Sequence, residues 1–400
     1  MSQTATNTAP ANDSAGLGPV LTFLFALSCG ALAANLYYAQ PLVSLMGSDL
    51  GLAVAAESSI VTVAQIGYAI GLIFLVPLGD LVENRKLILL TMGANVVALT
   101  GLALAPGLTL LFAGMLIVGI TSCAAQMLVP LAANLAPEEE RGAVVGNVMS
   151  GLLGGILLAR PVSSFLADYL GWRGVFGLSA ALIAVLAAVS LVLLPRREPG
   201  GERGYLALIR SLGRLFVNEP VLRRRGLYHA AMFAAFSLFW TAAPIILMRD
   251  PFDFSPSGVA LFALAGVLGV FAAPVAGRLA DRGFSRIGTV CAIAMVVAGF
   301  LVSTFGTTSL AALVFAAVVV DLGVQANLVF GQREIFRLAP DIRNRLNAVY
   351  MTTFFIGGAL GSALASPVLE VGGWLGVCVL GMAMPGAALI YFALVDGAGD

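Results

Sequence analysis

Two ionisable side chains stand inside long apolar stretches: Asp321 in Val318-Val319-Val320-Asp321-Leu322-Gly323, and Arg160 in Leu157-Leu158-Ala159-Arg160-Pro161. A charge surrounded by hydrocarbon is costly, so such residues either serve a function or compensate one another. A carboxyl placed there can take up a proton on one side of a barrier and release it on the other. A guanidinium can neutralise that carboxyl, attract an anion, or hold helices together. Proton exchange and a permanent ion pair make opposite demands on Asp321, and a pair that forms in one state only reconciles them. Uncharged polar residues recur in the same kind of surroundings: Asn35, Tyr38, Gln40, Gln126, Trp240, Thr241, Gln325 and Asn327. They can line a cavity and hydrogen-bond an organic solute, or join helices, and Trp240 can stack on an aromatic or cationic ligand.

Other chemistry finds little support. There is no HExxH motif, no Ser/His/Asp set at workable spacing and no glycine loop for phosphate, so no catalytic residues are assigned. The single histidine, His229, follows Arg225 by one helical turn and reads as an interfacial residue without function. Cys29, Cys123, Cys291 and Cys378 all fall in apolar stretches, where they act as small apolar residues rather than as a disulfide or metal set. No cofactor is expected, and a proton gradient would supply the energy.

The elements that must hold these residues follow from composition. Of 400 residues, 60% are hydrophobic and 10% charged, far from the roughly 25% charged content of soluble domains. A water-soluble enzyme is excluded. With 21 acidic and 21 basic residues the net charge is zero, which gives no field to attract nucleic acid. Charge-free stretches long enough to cross a bilayer lie within 14–48, 57–80, 87–137 (two crossings, broken at Ala105-Pro106-Gly107), 142–167, 174–195, 226–248, 257–277, 287–305, 309–332, 346–369 and 374–395. That makes twelve spans. Counting loops alternately, 18 of the 21 basic residues fall on one side and only Arg173 and Arg249 on the other, with Arg160 inside span 5. The basic side and both termini are therefore expected in the cytoplasm. Asp321 then lies about 18 Å from either end of span 10, at mid-membrane. The tail 1–16 is polar without a basic region and reads as disordered rather than as a signal peptide.

The two halves repeat. Pro41 matches Pro244, Asp80 matches Asp281, Leu135-Ala136-Pro137 recurs as Leu338-Ala339-Pro340, Met149 matches Met351, and Gly171-Trp172 recurs as Gly373-Trp374, all at offsets of 201 to 203. One register held through six spans means two copies of one six-helix bundle, here 17–195 and 226–395. The basic linker 196–225 joins them, and 396–400 form a short tail. Within the linker Tyr205, Leu208, Ile209, Leu212, Leu215 and Phe216 recur at helical spacing beside Arg210 and Arg214. That pattern predicts a helix lying on the inner leaflet, with a solvated connector as the plainer alternative.

The loop after span 8 reads Gly277-Arg278-Leu279-Ala280-Asp281-Arg282-Gly283-Phe284-Ser285-Arg286. Together with the 6 + 6 repeat and basic central loop, it resembles the major facilitator superfamily, whose signature is G-x-L-x-D-R-x-G-R-R. Its N-terminal copy keeps Asp80, Arg85 and Lys86 but has Leu81 and Glu83 where the signature has Arg and Gly. Asp80 and Asp281 are expected near the positive N-terminal ends of spans 11 and 5, latching the cytoplasmic side. The gate thus comprises Asp80, Arg85, Lys86, Gly277, Asp281, Arg282 and Arg286. Span 5 carries Gly151, Gly154, Gly155, Ala159, Pro161, Ser163 and Ser164. It is similar to the glycine and proline signature of the drug and metabolite antiporters, with Arg160-Pro161 in place of Gly-Pro. Gly151, Gly154, Gly155 and Pro161 are expected to let helices of the two halves pack closely. In this superfamily spans 1, 4, 7 and 10 line the central path, and the eight polar residues above fall on those spans.

The resemblance implies an all-α membrane protein of twelve helices in two pseudo-symmetric bundles, in a bacterial inner membrane and monomeric. It would export a small amphipathic organic compound such as a drug, sugar or nucleoside in exchange for protons, by alternating access. Uptake by symport or facilitation suits the same scaffold, and a lipid-moving or sensory protein is a rival of another class.

Overall fold

The structure, a computed structural model, describes residues 18–198, 204–339 and 342–396. The predicted tail 1–16 and the last four residues lie outside the described residues. Every regular element among the described residues is helical, as required where the surrounding lipid offers backbone groups no hydrogen-bond partner. Two helices, Arg141–Leu193 and Arg343–Val395, run for 53 residues each. At 1.5 Å per residue each would be about 80 Å long, more than twice the roughly 30 Å hydrocarbon core. Each is therefore two spans, joined at Gly171 (φ 67°) and Gly373 (φ 59°). Only glycine takes this left-handed turn without cost, and these two glycines are repeat mates.

Spans 5 and 6 thus share Arg141–Leu193, and spans 11 and 12 share Arg343–Val395. Span 2 is Val54–Asp80, span 3 Asn84–Ala103, span 4 Leu108–Leu135, span 7 Pro220–Leu247, span 8 Pro256–Asp281, span 9 Ser285–Ser303 and span 10 Leu310–Phe336. Span 1 is broken: Pro19–Ala34 gives way to irregular backbone around Asn35 to Ala39, then the turn Gln40–Leu42 and a short helix Val43–Leu50. Pro41 has no N–H with which to continue the ladder. Span 8 loosens in the same way into a tighter turn, Leu268–Phe271. There Pro274 cannot donate to the Val270 carbonyl.

Spans 2 and 11, and spans 5 and 8, form the largest contacts between the halves, and span 7 also meets the broken part of span 1. On the side away from the basic loops hydrogen bonds cross the first of these seams. Ser58 and Ser366 exchange backbone N–H and hydroxyl, at 3.1 and 3.2 Å. Thr62 and Ser362 hydroxyls lie 2.9 Å apart, and beside this seam Gln65 Nε2 of span 2 donates to Ser237 Oγ of span 7 at 2.8 Å. Ser257 donates to Asp168 between spans 8 and 5. The outer side is closed.

The linker helix, Tyr205–Asn218, forms as the spacing predicts, but its place differs from the expectation. Tyr205 donates its hydroxyl to the Phe74 carbonyl at 2.7 Å, and Leu212 packs with Leu222, Ile335 and Leu346. The apolar face is thus spent on spans 2, 7, 10 and 11, across the basic end of the molecule, and not on the inner leaflet. A protein groove that dehydrates the same leucines competes directly with the lipid.

Candidate functional site

A cavity of about 470 Å³ opens toward the basic side and ends near mid-membrane. Asp80, Arg343 and Arg345 stand at its mouth with Leu208 and Leu212 of the linker helix, while Tyr37 and Phe236 are among its deepest wall residues. Its size suits one small organic molecule.

Arg160 and Asp321 lie beyond that closed end, 2% and 1% exposed. Neither faces lipid. They make no direct ion pair; Trp240 of span 7 connects them. Its indole Nε1 donates to Asp321 Oδ1 at 2.7 Å, and the Arg160 guanidinium sits 4.5 Å from its ring centroid. Phe236 and Tyr37 hold the same guanidinium at 4.8 and 5.3 Å. Three aromatic faces replace part of the hydration that this cation has lost. Arg160 Nε donates to Gln40 Oε1 at 2.7 Å, while the buried Nη2 has no partner. The break in span 1 is what lets Gln40 reach across.

Two glycines of span 8, which sequence reasoning missed, complete the pocket. A Cβ on Gly266 would stand 2.6 Å from both Asp321 Oδ2 and the Trp240 ring, and one on Gly269 would stand 2.8 Å from Asp321 Cβ. Any side chain there would displace the carboxyl. The Gly-x-x-Gly spacing in an apolar span was the available signal.

The eight predicted cavity residues divide. Gln126 and Gln325 line the cavity, with Gln126 Nε2 donating to Tyr68 Oη at 3.2 Å. The other six lie behind its wall. Asn35 is buried between spans, donating to Asn95 Oδ1 at 3.0 Å and accepting from Ser179, so it joins helices. Tyr38 is half-buried away from the cavity. Gln40 and Trp240 serve Arg160 and Asp321, and Thr241 is buried with its hydroxyl unpartnered. Asn327 holds His229, its Nδ2 lying 2.9 Å from the imidazole Nδ1. His229 itself corrects an expectation: it is fully buried and forms part of the cavity wall rather than the membrane edge. Span 7 begins at Pro220, nine residues earlier, so the whole helix is shifted inward relative to the charge-free stretch.

The gate residues also divide. Asp80 is exposed at the cavity mouth with Arg345, a residue of the start of span 11, nearby. Asp281 does not reach span 5; it pairs with Arg333 at the end of span 10, at 2.7 Å, and both are exposed. With the cytoplasmic side open, the ends of spans 5 and 8 are apart, so the acid bonds within its own half. Arg85 donates to the Leu191 carbonyl, and Lys86, Gly277, Arg282 and Arg286 lie at the surface or partly covered. Gly283 takes φ 87°, and the backbone bonds Gly283 N–H to Ala280 O and Phe284 N–H to Leu279 O, at 3.1 and 2.9 Å, close span 8.

Of the packing residues, Gly151 and Gly155 do permit close approach. Added Cβ atoms would stand 2.3 Å from Ala26 O and 2.1 Å from Gly30 O. That partner is span 1 of the same half, however, and Gly154 meets nothing within 4 Å. Pro161 is buried inside span 5. The halves meet along another face of span 5, so its glycine stripe fastens a bundle rather than the seam.

Comparison with known proteins agrees with this architecture. The family description Major Facilitator Superfamily matches residues 21–324 and again 226–398. The uncharacterized transporter YgaY of Escherichia coli is 41% identical over 369 residues, covering 91% of this chain and 93% of that protein. A probable transporter of Streptomyces coelicolor is 33% identical over 363 residues, 89% of this chain and 83% of its own. The crystal structure of a nucleoside transporter, NupG, superposes with a TM-score of 0.75 at 14% identity, over 93% of this chain and 99% of that one, a likeness of fold. The chain belongs to the major facilitator superfamily and is a multi-pass membrane transporter.

Proposed function

We propose that the protein is a monomeric, proton-coupled exporter of the drug and metabolite antiporter branch, resident in a bacterial inner membrane, that moves a small amphipathic organic compound by alternating access. One observation carries this reading. The two charged side chains buried at mid-membrane engage one indole, just beyond the end of a cavity open to the cytoplasm. Trp240 occupies Asp321 Oδ1, which leaves Oδ2, the oxygen against Gly266, to carry the proton. When Asp321 is ionised, Arg160 is attracted to it across the indole; when it is protonated, that attraction is released. Compound enters the cytoplasmic cavity, the halves rock, the seam of Ser58, Thr62, Ser362 and Ser366 parts, and Asp321 is reloaded from outside.

Everted membrane vesicles with an acid interior test this. A transported compound, sought among drugs, sugars and nucleosides, is expected to collapse the proton gradient with the wild-type protein. Asp321→Asn should retain counterflow of the compound and lose the gradient collapse. Transport by that variant as sensitive to the gradient as the wild type's would refute the proposal.

A further inference from the structure

One wall of the cavity carries a feature that touches the proton-coupling pair only at its last ring, Phe236. His229 is stacked between Tyr350 and Phe354, with centroids 5.4 and 4.6 Å away and interplanar angles of 10° and 12°. Phe354 stacks on Phe233 at 3.7 Å and 18°, and Phe233 on Phe236 at 5.1 Å and 19°. Five rings from spans 7 and 11 thus run nearly parallel. All but Tyr350 line the cavity. Rings stacked in this way cover one another's faces and meet the cavity with their edges, and aromatic edges pack favourably against the face of a flat ring.

The ladder also has one polar requirement. Asn327 Nδ2 donates to His229 Nδ1, which places the imidazole proton on Nε2. That Nε2–H is buried without an acceptor, and an unmade hydrogen bond in such surroundings is a standing cost. The charged residues that line the cavity, Asp80, Arg343 and Arg345, stand at its mouth. Two arginines adjoin the ladder from behind the wall and are already engaged, Arg160 with Gln40 and the Phe236 and Trp240 rings, and Arg225 with Thr289. A cation at this depth would meet no carboxylate in the lining, and an anion would have to draw Arg160 away from its aromatic cage, so a neutral ligand fits best.

We propose that the His229 ladder is the substrate-binding subsite of the cavity, and that its ligands are neutral, flat, fused-ring aromatic compounds carrying a hydrogen-bond acceptor for Nε2–H. This rests on the reading of the cavity as the transport path and narrows its cargo. Asn327 acts as a positioning residue by fixing the tautomer.

Equilibrium dialysis of the purified protein tests it, with coumarin as the probe and naphthalene as its counterpart without an acceptor. Wild-type protein should bind coumarin saturably. His229→Phe, which keeps the stack and deletes the donor, should weaken coumarin about tenfold and leave naphthalene unchanged. His229→Gln should restore most of the coumarin affinity, and Phe354→Leu should weaken both probes. Thermal melting reports whether each variant folds; if His229→Phe does not, the contrast between His229→Gln and Phe354→Leu decides. Absence of saturable coumarin binding, or coumarin affinity indifferent to these changes, overturns the proposal. Coumarin binding by the wild type without any exchange in the vesicles would sink the transport reading and spare the subsite, whereas exchange without saturable coumarin binding would sink the subsite and spare the transport reading.

Discussion

Among single residues, Arg160 and Asp321 depend on each other without touching. Removing one buried charge leaves the other uncompensated, a loss of about 3–5 kcal/mol where pairs are tight. Arg160→Met and Asp321→Asn are each expected to lower the melting temperature in detergent, and the double variant to recover part of the loss. A coupling of about 1 kcal/mol is expected in the double-mutant cycle, and strict additivity would mean the indole does not link them. A second acid, Asp49, is a simpler case at the outer surface. Hydrogen bonds from Arg173 and Trp172 hold its carboxyl below the usual carboxylate range, while Arg173 Nη2 also donates to the Ala105 carbonyl at 2.9 Å. A lowered folded-state value means stability is present above the unfolded value and lost as pH falls through the lowered one. Melting temperature should therefore fall more steeply below about pH 4 in wild type than in Asp49→Asn. Equal slopes would show that this latch contributes nothing.

Between elements, contact is set by the absence of side chains. Gly155 allows the backbones of spans 5 and 1 to touch, whereas Gly154, one residue before it, faces open space. Gly155→Ala is expected to cost about 1–3 kcal/mol by overpacking, while Gly154→Ala should be neutral or stabilise by up to about 1 kcal/mol. Thermal melts of the two variants read the difference directly. Equal effects would mean the 5–1 contact is looser than described.

For the whole molecule, the relevant quantity is which face is closed. The Thr62 and Ser362 hydroxyls are 2.9 Å apart across the outer seam, within reach of a disulfide. In a Cys291→Ser background, Thr62→Cys with Ser362→Cys should oxidise readily, abolish transport, and regain it on reduction. Full transport by the oxidised pair would show that the seam need not open. The coumarin site, facing the cytoplasm, should stay accessible in the locked protein.

What the chain determined by itself is local in origin. Each charge in hydrocarbon carries its cost wherever the chain goes, so the twelve spans, their sidedness and the isolation of Asp321 and Arg160 could be read residue by residue. Gly171 and Gly373, at one repeat offset, turned out to make the same left-handed bend. The partners were not legible. Gln40 meets Arg160 120 positions away, Asn327 meets His229 98 away, and Gly266 meets Asp321 only because span 8 loosens beside it. Amides, rings and glycines pay no comparable toll in an apolar span, so nothing in the one-dimensional pattern separates a cavity wall from a helix joint. That choice is made by packing between distant segments, and so only the tertiary structure could place His229 inside and Asn35 behind.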